Sequence, residues 1–318
     1  ASAGVDLLKR ASCDAIAFGS ECGDADLLRK IARRLDEHAD SIALCIAEAR
    51  KLGLNYPAAR QKAYTELFGD TDPDIEKDIS VLSSSNDILA IEYIRAAGDM
   101  EVYPIKRIGA DYLDDIQDDE KYQSATGIRQ AVSTGEDIRG YVPELTAAAL
   151  KKAESNISKL GENYFNFARA AVISMSEEEL ENTPSGGEGL ASRLRRPAIS
   201  ADSIKEMIDF AKSKRYTYTR VARMIAQAVL EIKRYDADMD VMYARVLGFN
   251  GAGRKLLADL RDSDFPVITN INKEMEKLEG DALRQLELDI KASDFYNIMC
   301  IKSLYSNSDR VMRPIIKE

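Results

Sequence analysis

Three short stretches hold the residues of this sequence that could do chemistry. Ser83-Ser84-Ser85-Asn86 stands ahead of apolar residues at Ile88, Leu89, Ile91, Tyr93 and Ile94, so a hydroxyl or amide side chain caps a buried helix predicted to run to about Ala97. The free backbone N–H groups and positive dipole end of such a helix suit an anion or a purine edge. Val102-Tyr103-Pro104-Ile105 reads as a short strand that delivers Lys106-Arg107 at its C-terminal end, the edge where ligands bind in open α/β sheets. In Ser124-Ala125-Thr126-Gly127-Ile128-Arg129, Ser124 and Thr126 are expected to cap a second helix with their hydroxyls facing outward. Arg129 then sits one turn in, positioned to reach a phosphate at that helix end. Each stretch alone also reads as an ordinary cap or turn. Together they point to phosphate handling.

The third stretch resembles the Ile-Ser-Ser-Thr-x-x-Arg motif of HIGH-superfamily nucleotidyltransferases. Residues 83–97 (SSSNDILAIEYIRAA) followed by 103–112 (YPIKRIGADY) resemble the bacterial tRNA-methionine cytidine acetate ligases more specifically. DAIAFGSECGD at 14–24, KRYTYTRVARM at 214–224 and YARVLGFNGAGRKLL at 243–257 match the same family in the same order. The resemblance implies condensation of acetate with ATP to acetyl-adenylate and pyrophosphate. It further implies transfer of the acetyl group to the exocyclic amine of the wobble cytidine in elongator methionine tRNA. It places Gly19 and Asn86 on the adenosine side of ATP and Arg107 and Arg129 on the phosphates. Ser124 and Thr126 become hydroxyl or N–H donors at the helix start, where adenylation needs phosphates held in line and charge stabilised. Mg²⁺ is expected with ATP, although no carboxylate ligand for it is identifiable in the sequence, so no metal-binding residue is assigned.

One departure from the family stands out. The sequence has a single histidine, His38, set among charged residues on a predicted solvated helix face. That removes a Ser-His-Asp triad and leaves any zinc site to carboxylates and scattered cysteines. It also means that the His-x-Gly-His element, whose imidazoles stabilise phosphate charge in HIGH enzymes, does not occur here. The expectation is therefore an α/β fold, a partial, N-terminally truncated Rossmann-like HIGH nucleotidyltransferase domain over 1–140, followed by an all-helical, tRNA-binding C-terminal domain over 141–318. A fragment of that kind would be inactive or nearly so.

The elements that must position these residues follow from periodicity. A helix at Val5–Ala11 leads into a strand at Ala15–Phe18, which ends in Gly19 and a Ser-Glu-Cys-Gly-Asp turn. One long helix is expected from Ala25 to about Leu52 and another over Pro57–Phe68, then an acidic loop over Gly69–Asp78. Helix is predicted over Pro143–Met175, where Ser176 and Glu179 form a capping box, and Thr183–Gly187 reads as a flexible loop. Further helices are expected around 188–194, 202–213, 216–235, 239–246, 251–262, 269–277 and 281–300.

At 318 residues and 45% hydrophobic content the chain can bury sizeable cores. No apolar run approaches bilayer-spanning length and no signal-like N-terminus is present, so the expected location is cytoplasmic, with no membrane partner. Cys13, Cys22, Cys45 and Cys300 lack C-x-x-C spacing and read as free thiols.

The overall charge is −10, yet Arg193 to Arg223 carries nine Lys or Arg against three acids. Such a patch attracts polyanions whatever the net charge, and Tyr216 and Tyr218 offer stacking surfaces beside it. A solvated helix face is the plainer reading of composition alone; the family resemblance over 214–224 implies that Arg193, Arg195, Arg196, Lys214, Arg215, Tyr216 and Arg220 contact tRNA. Two other functions stay open: nucleotidyl transfer to a small metabolite, and RNA binding without catalysis.

Overall fold

The structure is a computed structural model that describes residues 1–54, 56–108, 123–300 and 308–317, the side chains of residues 57, 153–159 and 262 excepted. It divides into two compact units, Ala1–Ile108 and Gly109–Glu318.

The first unit is α/β. Helix α1 (Ser2–Arg10) leads to strand β1 (Ala15–Ser20), which pairs in parallel with β2 (Glu101–Lys106) in a register running from Ala15 opposite Glu101 to Ser20 opposite Lys106. A parallel pair needs a crossover. Here it is α2 (Ala25–Glu37), α3 (Ala39–Lys51), α4 (Tyr56–Phe68), α5 (Ile75–Ser83) and α6 (Ser85–Ala97). Ile16 and Phe18 alternate inward from β1 and share one core with Leu28, Ile31 and Leu35 of α2, Tyr64 and Phe68 of α4, Leu82 of α5 and Ile91 of α6.

Two expectations fail in this unit. The long helix over 25–52 is broken at His38, whose backbone (φ −116°, ψ 24°) closes α2 and opens α3. The break lets the exposed His38 ring sit edge-on to Phe68, with centroids 5.1 Å apart. The acidic stretch 69–78 is only partly loop, because α5 begins at Ile75 and turns Asp78 inward to full burial. Lys30 (2.7 Å) and Arg34 (3.0 Å) neutralise Asp78, and the Tyr64 hydroxyl donates to it at 2.7 Å. Asp72 joins the same cluster through Arg34 at 2.5 Å. A buried carboxylate without such partners would cost several kcal/mol, so the cluster makes the packing of α2, α4 and α5 conditional on these charges.

The second unit is mainly helical: α7 (Ala125–Thr134), α8 (Glu144–Ser174), α9 (Glu177–Glu181), α10 (Leu190–Ser200), α11 (Ile204–Ala211), α12 (Tyr218–Leu230) and α13 (Arg234–Ala237) come first. Its main core gathers Phe165 and Val172 of α8, Leu190 and Leu194 of α10, Met207 of α11, and Met224 and Ile225 of α12. The expected capping box is present, Ser176 and Glu179 exchanging both bonds. The helix expected over 239–246 is not formed. Instead β3 (Ala244–Arg245) and β4 (Gly248–Phe249) precede α14 (Gly251–Asp259), a 3₁₀ turn (Leu260–Asp262), β5 (Val267–Ile268), α15 (Ile271–Met275), α16 (Gly280–Cys300) and β6 (Ile315–Ile316). Parallel pairing of β3 with β5 and of β4 with β6 adds two minimal ladders to a helical unit. Tyr243 and Ile268 from this region pack on Ile271, Leu286 and Ile290, which is why the segment is held as strand. The segment Thr183–Gly187, expected to be flexible, is a packed turn. Thr183 is fully buried, its hydroxyl donates to Leu180 O at 2.8 Å, and a Cβ on Gly186 would lie 2.5 Å from Glu181 O.

Candidate active site

In the first unit the C-terminal ends of β1 and β2 meet the start of α6. The Arg107 N–H donates to Ser20 O at 2.9 Å, carrying the parallel ladder one step past β2. Ser20 is fully buried; its hydroxyl donates to Asp87 Oδ1 at 2.5 Å and accepts from Gly23 N at 2.9 Å. Asp87, itself buried, also accepts from Cys22 N at 3.1 Å. One carboxylate on α6 thus fixes the whole turn after β1. Gly23 has φ +65°, and a Cβ there would lie 2.6 Å from Lys106 Cβ, so only glycine lets the turn lie against β2.

Gly19 is exposed at the end of β1, with the Arg107 side chain lying over it; a Cβ on Gly19 would stand 3.6 Å from Arg107 Cγ. Arg107 is exposed, and among the described residues its guanidinium has no recorded ion-pair partner. Helix α6 begins as the sequence indicates, with Ser84 as N-cap accepting from Asp87 N. Its anion position is taken by the Glu21 carboxylate, which accepts from the Ser84 hydroxyl, from Asn86 Nδ2 at 2.5 Å and from Asp87 N at 3.1 Å. Burial works to raise the Glu21 pKa. The bonds from Ser84 and Asn86 and the backbone N–H groups outweigh it and hold the carboxyl below its ordinary range. Asn86 therefore meets the turn after β1 as a partner of Glu21.

Ser124, Thr126 and Arg129 stand on α7 and are described within the second unit. Ser124 is the N-cap, but it is buried, and its hydroxyl is turned into the helix to accept from Gly127 N at 2.9 Å; the outward-facing hydroxyl expected there is not observed. Thr126 Oγ1 accepts from Arg129 at 3.1 Å, leaving Arg129 exposed one turn into the helix. Residues 109–112 of the stretch 103–112 lie outside the described residues.

The basic segment is only partly an open surface. Arg193 Nε donates to Ala211 O at 2.6 Å, closing α11, and Arg195 donates to Ile173 O (3.3 Å) and Met175 O, closing α8. Arg220 donates to Ser185 O (3.1 Å) and Gly186 O (3.2 Å) and pairs with Glu188 at 2.8 Å, bracing the 183–188 turn. Tyr216 is 7% exposed; its hydroxyl donates to Glu188 O, and Arg215 and Arg220 lie over its ring at 5.7 and 5.4 Å. Its ring is unavailable for stacking on a base, which corrects that expectation. Arg196 and Lys214 are exposed with no recorded partner among the described residues, and Arg215 is exposed with a long contact of 3.4 Å to Glu188.

Sequence reading missed Ser20, Glu21, Gly23 and Asp87. Ser84 and Asp87 have the S-x-x-D spacing of a capping box, which flags Asp87, but its carboxylate reaches back to the β1 turn, and that no local pattern encodes.

Residues 1–310 match the family described as HIGH Nucleotidyl Transferase. The tRNA(Met) cytidine acetate ligase of Clostridium perfringens (strain ATCC 13124) is 32% identical over 313 residues, spanning 95% of this chain and 75% of that protein. The enzyme of the same name from Thermosipho africanus is 34% identical over 330 residues, spanning 95% and 77%. The crystal structure of Thermotoga maritima TmcAL in its apo form superposes with a TM-score of 0.86 at 26% identity, covering 99% of this chain and 79% of that one. The same protein bound to alpha-thio ATP gives 0.83, also at 26% identity and with the same coverage. The chain belongs to the tRNA(Met) cytidine acetate ligases, a family of ligase-type enzymes among the HIGH nucleotidyl transferases.

Proposed function

We propose that this chain supplies the ATP crevice and the tRNA-binding surface of an ATP-dependent acetate ligase. An acetate oxygen attacks the α-phosphorus of ATP and pyrophosphate leaves. The exocyclic amine of the wobble cytidine in elongator methionine tRNA then attacks the acetyl carbonyl and AMP leaves. The observation that carries this reading is the sheet edge at the ends of β1 and β2, where an exposed glycine, an arginine with no ion-pair partner among the described residues and a helix start adjoin in a chain similar to a protein crystallised with alpha-thio ATP. Gly19 lets the nucleotide approach the backbone, Asn86 meets the adenosine side and Arg107 the phosphates. Separately, within the second unit, the start of α7 capped by Ser124 is assigned to phosphate, with Thr126 and Arg129 as donors.

Among the described residues no three His, Cys, Asp or Glu side chains gather to hold a metal, so Mg²⁺ enters here only as a companion of the ATP phosphates, with no protein ligand assigned. The helical part from residue 141 onward is assigned to tRNA. Arg196, Lys214 and Arg215 carry the phosphate contacts, since Arg193, Arg195 and Arg220 are committed to backbone carbonyls. The cytoplasm is the proposed location for such an enzyme; among the described residues no helix is long and apolar enough to cross a membrane.

The test has two arms. A chain that also carries a His-x-Gly-His element should exchange labelled pyrophosphate into ATP only when acetate is present, whereas the present 318 residues, with their single histidine, should exchange far more slowly. Acetate-independent exchange would mark transfer to a small metabolite instead. Filter retention of elongator methionine tRNA by the chain tests the second arm, and no retention at low salt would remove the RNA substrate.

A further inference from the structure

Glu21 has no part in the reading above, yet its carboxylate accepts three hydrogen bonds at the start of α6. It follows the buried Ser20 directly and sets its carboxylate on the first turn of α6, held by Ser84, Asn86 Nδ2 (2.5 Å) and Asp87 N (3.1 Å). An ionised carboxylate offers acceptor sites only. A primary amide, by contrast, can turn either its NH₂ or its carbonyl oxygen toward a neighbour. Facing Glu21, Asn86 has one choice. Its NH₂ must point to the carboxylate, and its carboxamide oxygen is left as the unused end. Among the described residues none is recorded donating to that oxygen. The hydrogen bonds that depress the Glu21 pKa keep the carboxylate ionised, so the orientation holds across neutral pH.

We propose that Glu21 is a positioning residue that makes Asn86 an acceptor-only reader of the purine, so that the site takes a 6-amino purine nucleotide and rejects a 6-oxo one. The inference rests on the assignment of Asn86 to the adenosine side of the nucleotide. An adenine C6 amine donates to the carboxamide oxygen. A hypoxanthine or guanine carbonyl in that place sets acceptor against acceptor and leaves both unpaired, a mismatch that costs on the order of tenfold to a hundredfold in affinity.

The experiment is calorimetric titration of the chain with ATP, purine riboside triphosphate and inosine triphosphate. The wild type should bind ATP tightest and inosine triphosphate roughly tenfold to a hundredfold weaker, with the 6-unsubstituted purine between. Glu21→Gln keeps the length but can donate as well as accept, which frees the Asn86 amide to turn over. The ratio between ATP and inosine triphosphate should then fall to within about threefold while both still bind. Ser84→Ala removes a different bond to the same carboxylate and should leave the ratio at its wild-type value, so a purely structural role for Glu21 predicts a different pattern. An unchanged ratio in Glu21→Gln overturns the proposal with the nucleotide site intact. So does a wild type that binds inosine triphosphate as tightly as ATP, a result that needs no variant to fold. Failure of all three nucleotides to bind overturns the nucleotide site itself and this proposal with it.

Discussion

Gly23→Ala is the sharpest perturbation of the crevice that leaves every charged group in place. Two costs add. A left-handed backbone at φ +65° penalises any residue with a Cβ by about 1–2 kcal/mol. The new methyl would also sit 2.6 Å from Lys106 Cβ and 3.1 Å from Lys106 Cα. Those are atoms of β2 near its backbone, which cannot swing aside as a side-chain tip could. Relieving the overlap by shifting the strand end costs roughly another 1–2 kcal/mol. The sum, about 2–4 kcal/mol, should lower the melting temperature of the first unit by roughly 10–20 °C. Gly53→Ala is the internal control: its φ is +90°, but among the described residues nothing lies within 4 Å of its Cβ position, so only the backbone cost of about 1–2 kcal/mol applies. Because the shift moves Lys106 and Arg107 away from Gly19, Gly23→Ala should also weaken ATP binding, and Gly53→Ala should not. Thermal unfolding and ATP titration of both variants decide the matter. Equal melting temperatures, or equal ATP affinities, would refute the claim that the β1 turn is pressed against the end of β2.

Three further outcomes follow from particular contacts. Arg220→Ala should cost about 2–3 kcal/mol in unfolding free energy, because it orphans the Ser185 and Gly186 carbonyls and unpairs Glu188, and an unchanged stability would return Arg220 to the solvent-facing patch. Arg196→Ala with Lys214→Ala should leave stability alone and flatten the salt dependence of tRNA binding by about 1.4–1.8 logarithmic units per decade of salt, while an unchanged slope would exclude phosphate contact by both. The Asp72 carboxyl is held far below its ordinary range by the Asp74 backbone N–H first, then by Arg34 and Lys30. A depressed folded pKa gives stability that is present above the unfolded value near 4 and is lost as pH falls below it. Melting temperature should therefore drop more steeply below about pH 4 in the wild type than in Asp72→Asn, and parallel curves would contradict the ion cluster.

The parts of this molecule that were legible in its sequence are those encoded within a few residues. One of the four residues 83–86, Ser84, caps α6, Ser124 caps α7, and the strands expected at 15–18 and 102–105 lie within β1 and β2, which pair in parallel as an α/β reading requires. The break at His38 carries no Gly or Pro to announce it, and the Phe68 ring that the imidazole meets lies thirty residues on, beyond any local pattern. Asp78 hides in an acidic run and is recognisable as interior only once Lys30, Arg34 and Tyr64 surround it. Glu21 and Asp87 are 66 residues apart and meet through tertiary packing alone. Tyr216 and Arg220 read as nucleic-acid contacts by composition, but a turn whose packing was not apparent in the sequence has already taken both.

ATP is proposed to bind where β1 and β2 end, with Arg107 on its phosphates. Calorimetric titration of ATP into the wild-type chain and into Arg107→Ala tests it most directly. Arg107 is exposed and has no recorded ion-pair partner among the described residues, so its removal should leave the melting temperature unchanged. ATP should bind the wild type, and the variant should lose roughly tenfold to a hundredfold in affinity, the worth of one charge-assisted phosphate contact. Equal affinity of the two proteins for ATP would contradict it.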